Sequence, residues 1–266
     1  MVAASAGCSL LVDTSGLFSD ATMPSNEAAA ADARPSSDAD LGVDTAVAVD
    51  ASAPDARFVC SDASTFCDTF DDGPLGARWD KQTMREGGTL ALTPSAFSAP
   101  WALELDLPAR TGGTTERAAV LSKTLLASSA GAVSCRFQMN VTVAPTAPGD
   151  DFAVFLIEPL PTPNDHIFEM KVSSGLLSAS ENFAPDAGVD MKNAFGVPKV
   201  GTWVLIELSL DLAAKTMTAS VDGASKTFPV TDMTGTTSLR VSLAETGDSD
   251  DAHMAARFDD FECTVK

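Results

Sequence analysis

One stretch of the chain, residues 200–230, constrains the fold more than any other. Its apolar side chains recur at every second position, at Val204, Ile206, Leu208 and Leu210, with Glu207, Ser209 and Asp211 between them. This period of two predicts a β-strand with one buried and one wet face. The same alternation resumes at residues 216–221 after a short polar turn. Asp222-Gly223 then predicts a tight hairpin, so the stretch is an antiparallel meander.

The rest of the chain after residue 57 repeats this pattern of short alternating strands separated by Gly, Pro, Asp and Asn clusters. We expect strands at residues 66–72, 89–92, 101–106, 118–124, 132–143, 152–158, 166–173, 176–182, 204–211, 216–222, 226–230, 239–245 and 257–265. No segment shows a helical period. The sequence therefore predicts an all-β domain over residues 58–266, a two-sheet antiparallel jelly-roll sandwich.

The central hairpin also carries a family resemblance. Gly201-Thr202-Trp203, the alternating strand, the short turn and Asp222-Gly223 resemble the hairpin of concanavalin A-like lectin/glucanase domains, including the laminin G-like branch. The resemblance covers about residues 58–266. It implies that the first and last strands pair in one sheet. It implies little about activity, because the family includes lectins, glycoside hydrolases and adhesion modules.

The first 57 residues have a different composition. Ser5-Ala6-Gly7-Cys8 resembles a bacterial lipobox, which makes Cys8 the candidate for lipidation and residues 1–8 a truncated signal. Either the start has been assigned too late or this resemblance is accidental. Residues 9–57 are rich in Ala, Ser, Asp and Pro, a composition that predicts a disordered linker. We therefore expect a lipoprotein of the cell envelope, on the outer membrane, in the periplasm or outside the cell.

Four cysteines remain once Cys8 is assigned to lipid. Cys60 and Cys67 bracket a short loop, while Cys135 and Cys263 lie on the core faces of two strands. We predict the disulfides Cys60–Cys67 and Cys135–Cys263, one of three possible connectivities. The alternative is four buried free thiols in a cytosolic protein.

The formal net charge of -20 argues against nucleic acid as a partner, because phosphates need Lys and Arg to neutralise them. It also argues against electrostatic docking on an anionic leaflet. No apolar run reaches the roughly 18 residues that a spanning helix needs. We expect a monomer that meets a membrane only through a lipid anchor.

Acidic side chains make calcium the candidate metal. Many domains of the resembling family hold Ca²⁺ where the first and last strands meet, and the sequence places Asp68, Asp71, Asp259 and Asp260 on those strands. Acidic clusters are also common in solvated loops that bind nothing, so this alternative stays open.

Candidate ligand-binding residues are those that could stack on a sugar or bond its hydroxyls. They are Trp79, Phe97, Trp101, Asp165, His166 and Glu169. Glu169 could also converge with Glu158 and Glu181, which lie on neighbouring predicted strands. The laminarinase pattern E-x-D-x-x-E is incomplete, because Ala109 stands where the last Glu is needed.

These observations favour a non-catalytic, envelope-tethered lectin-like binding or adhesion domain whose partner is a glycan or a surface protein. Two alternatives remain open: a structural envelope lipoprotein without a soluble ligand, and a divergent glycoside hydrolase or lyase. The expectation is that the chain is not an enzyme.

Overall fold

The computed structural model describes residues 58–109, 117–126, 131–145, 151–161, 166–173, 175–182, 193–233, 235–247 and 252–266. The predicted signal, Cys8 and linker lie outside these residues. Every regular element within them is a β-strand. The strands are β1 (Phe66–Asp68), β2 (Lys81–Arg85), β3 (Thr89–Thr93), β4 (Ala102–Leu107), β5 (Arg117–Leu126), β6 (Ala132–Val143), β7 (Asp151–Leu160), β8 (Ile167–Ser173), β9 (Leu176–Asn182), β10 (Asn193–Gly196), β11 (Trp203–Asp211), β12 (Thr216–Val221), β13 (Ala224–Pro229), β14 (Ser238–Gly247) and β15 (Met254–Val265).

The strands form two antiparallel sheets. Sheet A has the order β13-β12-β11-β6-β15-β4-β3, with β1 beside β15, and sheet B has the order β10-β9-β8-β7-β14-β5-β2. The predicted two-sheet jelly-roll sandwich is confirmed, and so is the pairing of the first and last strands, in which Phe66 lies opposite Cys263. In the part of the chain that the structure describes, no helix is long and apolar enough to cross a membrane.

The predicted meander is present with its expected turn. β11 pairs antiparallel with β12 and β12 with β13. Asp222 and Gly223, between β12 and β13, both have positive φ, 47° and 80°. A two-residue hairpin turn of type I′ requires a positive φ at both central residues.

The core lies between the sheets and is filled by the alternating apolar residues. Ile206, Leu208 and Leu210 are at most 1% exposed. Phe137 on β6 and Phe155 on β7 meet across the sandwich with ring centroids 5.0 Å apart. The same alternation sends the intervening polar residues of β6 and β11 to the outer face of sheet A.

Both predicted disulfides are present in the structure. Cys135 on β6 lies directly opposite Cys263 on β15, so the longer bridge joins neighbouring strands inside the core. Cys60–Cys67 joins the segment before β1 to the middle residue of β1, across a sequence separation of seven.

Two strands were not expected, and one is shorter than expected. β2 is almost wholly exposed and β10 has only four residues, so neither shows an apolar alternation. β1 ends at Asp68 instead of continuing to residue 72, because Phe70 adopts a positive φ of 61° that breaks the extended backbone.

Candidate functional site

The outer face of sheet A carries an open groove of about 630 Å³. It crosses β15, β6, β11, β12 and β13, which is roughly 19 Å at the usual spacing between strands. Most of its lining side chains are polar, and these lie largely in two rows that run from strand to strand. We call these the charged row and the hydroxyl row.

The charged row consists of Ser220, Glu207, Arg136 and Glu262, each opposite the next on the neighbouring strand. Arg136 lies between the two glutamates. Its Nε and Nη2 are 2.8 and 2.6 Å from Oε2 of Glu262, whose Oε1 accepts the Ser61 N–H at 3.0 Å. Burial acts to raise the pKa of Glu262, but the hydrogen bonds from Arg136 and Ser61 outweigh it and hold that pKa below its usual value. Glu262 is therefore a fixed carboxylate.

The hydroxyl row lies two residues further along the same strands. It consists of Thr227, Thr218, Ser209, Ser134 and Thr264, again in register across the sheet. The hydroxyls of Thr218 and Thr227 are 2.8 Å apart, as are those of Ser134 and Ser209. Since a hydroxyl both donates and accepts, the row offers bonding sites of both kinds to a polyhydroxylated ligand.

A β-bulge in β15 brings Glu262 into the groove. Asp259 pairs with Gln138 and Glu262 with Arg136, so two residues of β15 lie opposite the single residue Phe137 of β6. Asp260 within the bulge has a positive φ of 52°. The bulge turns Phe261 into the core while Asp259 and Glu262 both leave it on the outer side, which a regular strand would not allow at this spacing.

The two glutamates of the charged row differ in environment. The side chain of Glu262 is 5% exposed, whereas the side chain of Glu207 is exposed and makes no hydrogen bond or ion pair with another residue that the structure describes. One carboxylate is thus fixed by a guanidinium and the other is free to meet a ligand. Neither these residues nor Arg136 were among the predicted site residues.

The outer face of sheet B carries the predicted ligand residue Glu169. It accepts the Ser180 hydroxyl at 2.9 Å and pairs with Lys171 at 3.1 Å, and it is only 7% exposed. Glu158 on the same face forms a two-pronged ion pair with Arg240, with contacts of 2.5 and 2.6 Å, which raises the pKa of Arg240. Glu169 and Glu158 are each paired with a cation, so we interpret this part of the face as a structural network.

Glu181 does not join Glu158 and Glu169. Its carboxylate accepts the Thr231 N–H at 3.0 Å and it is 1% exposed. Nearby His166 is also buried, with Nδ1 3.1 Å from the sulfur of Met233, and burial lowers its pKa. Glu158, Glu169 and Glu181 therefore do not converge on one face, and His166 cannot meet a ligand at the surface.

The predicted aromatic ligand residues are separated. Trp79 is 7% exposed, packs against Phe66 with centroids 5.0 Å apart, and donates its indole N–H to Asp68 at 2.8 Å. This is a core residue, so its prediction as a sugar platform is corrected. Phe97 and Trp101 do remain at the surface, 49% and 40% exposed. Asp165 lies outside the described residues.

The four predicted calcium ligands serve another purpose in the structure. Asp68 accepts the Phe70 N–H and the Trp79 indole, and Asp71 accepts the Trp101 N–H. Asp259 and Asp260 likewise bind the segment before β4. Both oxygens of Asp68 and Asp259 already accept hydrogen bonds from N–H donors, which leaves few oxygens of this set open to a cation. Calcium binding by these side chains stays a prediction. Across the described parts of the chain, no group of three or more metal-binding side chains occurs.

Asp259 has a strongly shifted pKa. Burial raises it to about 7, assisted by the charge of Asp260, although N–H groups of Phe97, Ser98 and Asp260 oppose the shift. The folded state therefore keeps a proton on Asp259 that the unfolded state loses above pH 4.

We expect the free energy of unfolding to fall, relative to Asp259→Asn, as the pH rises from about 4 to about 7, and to stay level above that. Over this pH range, the difference in unfolding free energy between the wild type and Asp259→Asn should change by about 2 kcal/mol. The full pKa shift of Asp259 corresponds to roughly 4 kcal/mol, and we expect less because Asp260 titrates nearby. Urea unfolding at four pH values measures it. A free energy difference between the two proteins that is constant from pH 4 to 8 would refute the raised pKa of Asp259.

Comparison with solved structures identifies the fold. An endo-β-1,4-glucuronan lyase from the fungus Trichoderma reesei superposes with a TM-score of 0.57 at 13% identity, covering 76% of this chain and 95% of the lyase. The cellulose induced protein Cip1 gives 0.56 at 14% identity, covering 76% and 96%. The family 7 alginate lyase A1-II' gives 0.50 at 12%, covering 62% and 80%. The fold is the concanavalin A-like jelly roll. No family model and no curated protein sequence matches the chain.

These neighbours correct the expected function. Polysaccharide lyases are prominent among the solved structures described above. They overturn the expectation of a non-catalytic lectin-like binding or adhesion domain, and with it the prediction that the chain is not an enzyme. The alternative of a divergent glycan-degrading enzyme is better supported. At 12–14% identity the likeness itself establishes only the fold.

Proposed function

We propose that this chain is a divergent glycan-degrading enzyme that binds a polysaccharide in the groove of sheet A. The observation that carries the proposal is the charged row, in which Glu207 and Glu262 flank Arg136 on the floor of an open groove. The hydroxyl row beside it supplies hydrogen bonds for sugar hydroxyls. The fold that the chain shares with polysaccharide lyases adds support.

The reaction that fits two carboxylates is glycoside hydrolysis. Glu262 is held ionised, so we assign it the role of base that activates a water molecule. The exposed Glu207 is then the acid that protonates the leaving oxygen. Their strands are two interstrand spacings apart, which places their Cβ atoms roughly 10 Å from one another. Inverting enzymes hold their two carboxyl groups about 6.5–9.5 Å apart and retaining enzymes about 5 Å, so a Cβ separation of this size favours inversion.

The fold neighbours favour a second candidate, β-elimination on a uronate polysaccharide. Arg136 would then neutralise the uronate carboxylate. Elimination also needs a base for a carbon-bound proton, and the chain contains no Tyr, while the described groove lining holds no His or Lys. For this reason hydrolysis is our first candidate.

The test uses the full chain with soluble polysaccharides of three kinds: glucuronan, alginate and a neutral β-glucan. New reducing ends without ultraviolet absorbance indicate hydrolysis, and NMR of the first product should then give the inverted anomer. New ends with the absorbance of an unsaturated uronate indicate elimination. No new ends with any of the three substrates would contradict the proposal.

We further propose that the enzyme works outside the cytosol, in the cell envelope or beyond it. Two disulfides support this location, because thiols are kept reduced in the cytosol of most organisms. Lipidation of Cys8 stays a prediction. Mass spectrometry of alkylated protein from native cells tests both, and free thiols at Cys135 and Cys263 would contradict the location.

A further inference from the structure

Two aromatic rings form a surface feature that the charged row does not use. The rings of Phe97 and Trp203 meet edge to face, with centroids 6.0 Å apart and planes inclined by 65°. Phe97 is 49% exposed and Trp203 is half-buried. Large aromatic side chains that stay at the surface in contact with each other mark a candidate binding place. We call this pair the aromatic platform.

The platform lies on the same face of sheet A as the groove. Trp203 begins β11, and the alternation that points Glu207 outward points Trp203 outward as well, opposite Asn140 on β6. Trp203 is four positions before Glu207 in β11, which is about 13 Å along a strand. Between them lies the pair Leu205 and Gln138, both partly accessible. A chain bound over the charged row along β11 would therefore reach the platform.

The segment that presents Phe97 is held from below by the side chains of Asp259 and Asp260. Oδ2 of Asp259 accepts the N–H groups of Phe97 and Ser98, both at 2.9 Å, and the Ser98 hydroxyl donates to Asp260 at 2.6 Å. These bonds fix the backbone of Phe97 and leave the face of its ring available to a ligand. An aromatic ring fixed in advance loses little conformational entropy when a ligand stacks on it.

We propose that Phe97 and Trp203 form a subsite that stacks on a pyranose ring of the polysaccharide cleaved at Glu207. The inference rests on the proposed function and adds its substrate class: a pyranose polymer long enough to cover both places, with an apolar C–H face to lay on the rings. Substrates too short to span the 13 Å or so between them gain nothing from the platform. The subsite therefore affects binding of long substrates and leaves the chemical step unchanged.

The experiment compares Phe97→Ala and Phe97→Trp with Met84→Ala, an exposed apolar side chain on β2 of the other sheet. Binding is measured by affinity electrophoresis in gels that contain glucuronan, alginate or hydroxyethyl cellulose. In the gel that retards the wild type most, Phe97→Ala should weaken binding roughly tenfold, which corresponds to about 1.4 kcal/mol. Phe97→Trp and Met84→Ala should bind as the wild type does.

Wild-type binding to none of the three polymers, or equal retardation of Phe97→Ala and the wild type, would overturn the subsite. Failure of the proposed function is distinguished by Glu207→Gln. That variant should still be retarded, because it keeps the platform, while losing turnover. If it cleaves at the wild-type rate, the catalytic assignment is wrong whatever Phe97 does.

Discussion

Glu207→Gln is expected to lower kcat on the cleaved polysaccharide by at least about 100-fold, because the variant keeps the shape of the side chain but has no proton to give the leaving oxygen. KM should change little, since an amide still bonds sugar hydroxyls. The rate of appearance of new chain ends measures this. Glu207 is exposed and has no partner among the described residues, so the fold should tolerate the change.

The matched control is Glu86→Gln, which makes the same chemical change at an exposed position in the turn between β2 and β3, outside the described lining of the groove. It should keep the wild-type rate. Equal rates for Glu207→Gln and the wild type would remove Glu207 from the reaction. Equal losses in both variants would point to a general effect of charge.

Replacing Cys135 and Cys263 by Ala is expected to cost about 5 kcal/mol of unfolding free energy, because the bridge closes a loop across a sequence separation of 128 residues. The bridge also lies in the core, where Cys135 and Cys263 are 2% and 0% exposed. Removing the two sulfur atoms therefore leaves a cavity, which adds to the loss of unfolding free energy. Stability of this order is a large part of what a domain has.

Replacing Cys60 and Cys67 provides the comparison. That bridge closes a loop with a separation of only seven residues near the start of the domain, for which the same entropy argument gives about 2.5 kcal/mol. Urea unfolding of the two double variants under one set of conditions measures the difference. If the short bridge costs as much as the long one, the chain-entropy account of this core is wrong.

Much of the fold could be predicted because its signal is local. The period of two in β11 and β12 placed Ile206 and Leu208 inward, and Asp222-Gly223 defined the hairpin between β12 and β13. Cys135 and Cys263 could be paired because both lie at inward positions of strands. Where the alternation is absent, as in β2, the strand could not be found.

The candidate site could not be predicted because it depends on which strands are neighbours. The alternation already placed Glu207 and Arg136 at outward positions. It could not predict the strand order β11-β6-β15, which makes them one row with Glu262. The bulge after Asp259 is a second obstacle, since a regular strand would face Glu262 differently. Trp79 failed as a sugar platform for a related reason: one of its ring partners in the core, Phe261, comes from the last strand of the chain.

The most direct test of the central claim is a crystal structure of Glu207→Gln with an oligosaccharide of the cleaved polymer. We predict a sugar chain in the groove of sheet A, with a glycosidic oxygen within hydrogen-bonding distance of residue 207 and one ring on Phe97. A sugar chain bound instead on the outer face of sheet B, beside Glu169 and Arg240, would contradict the account.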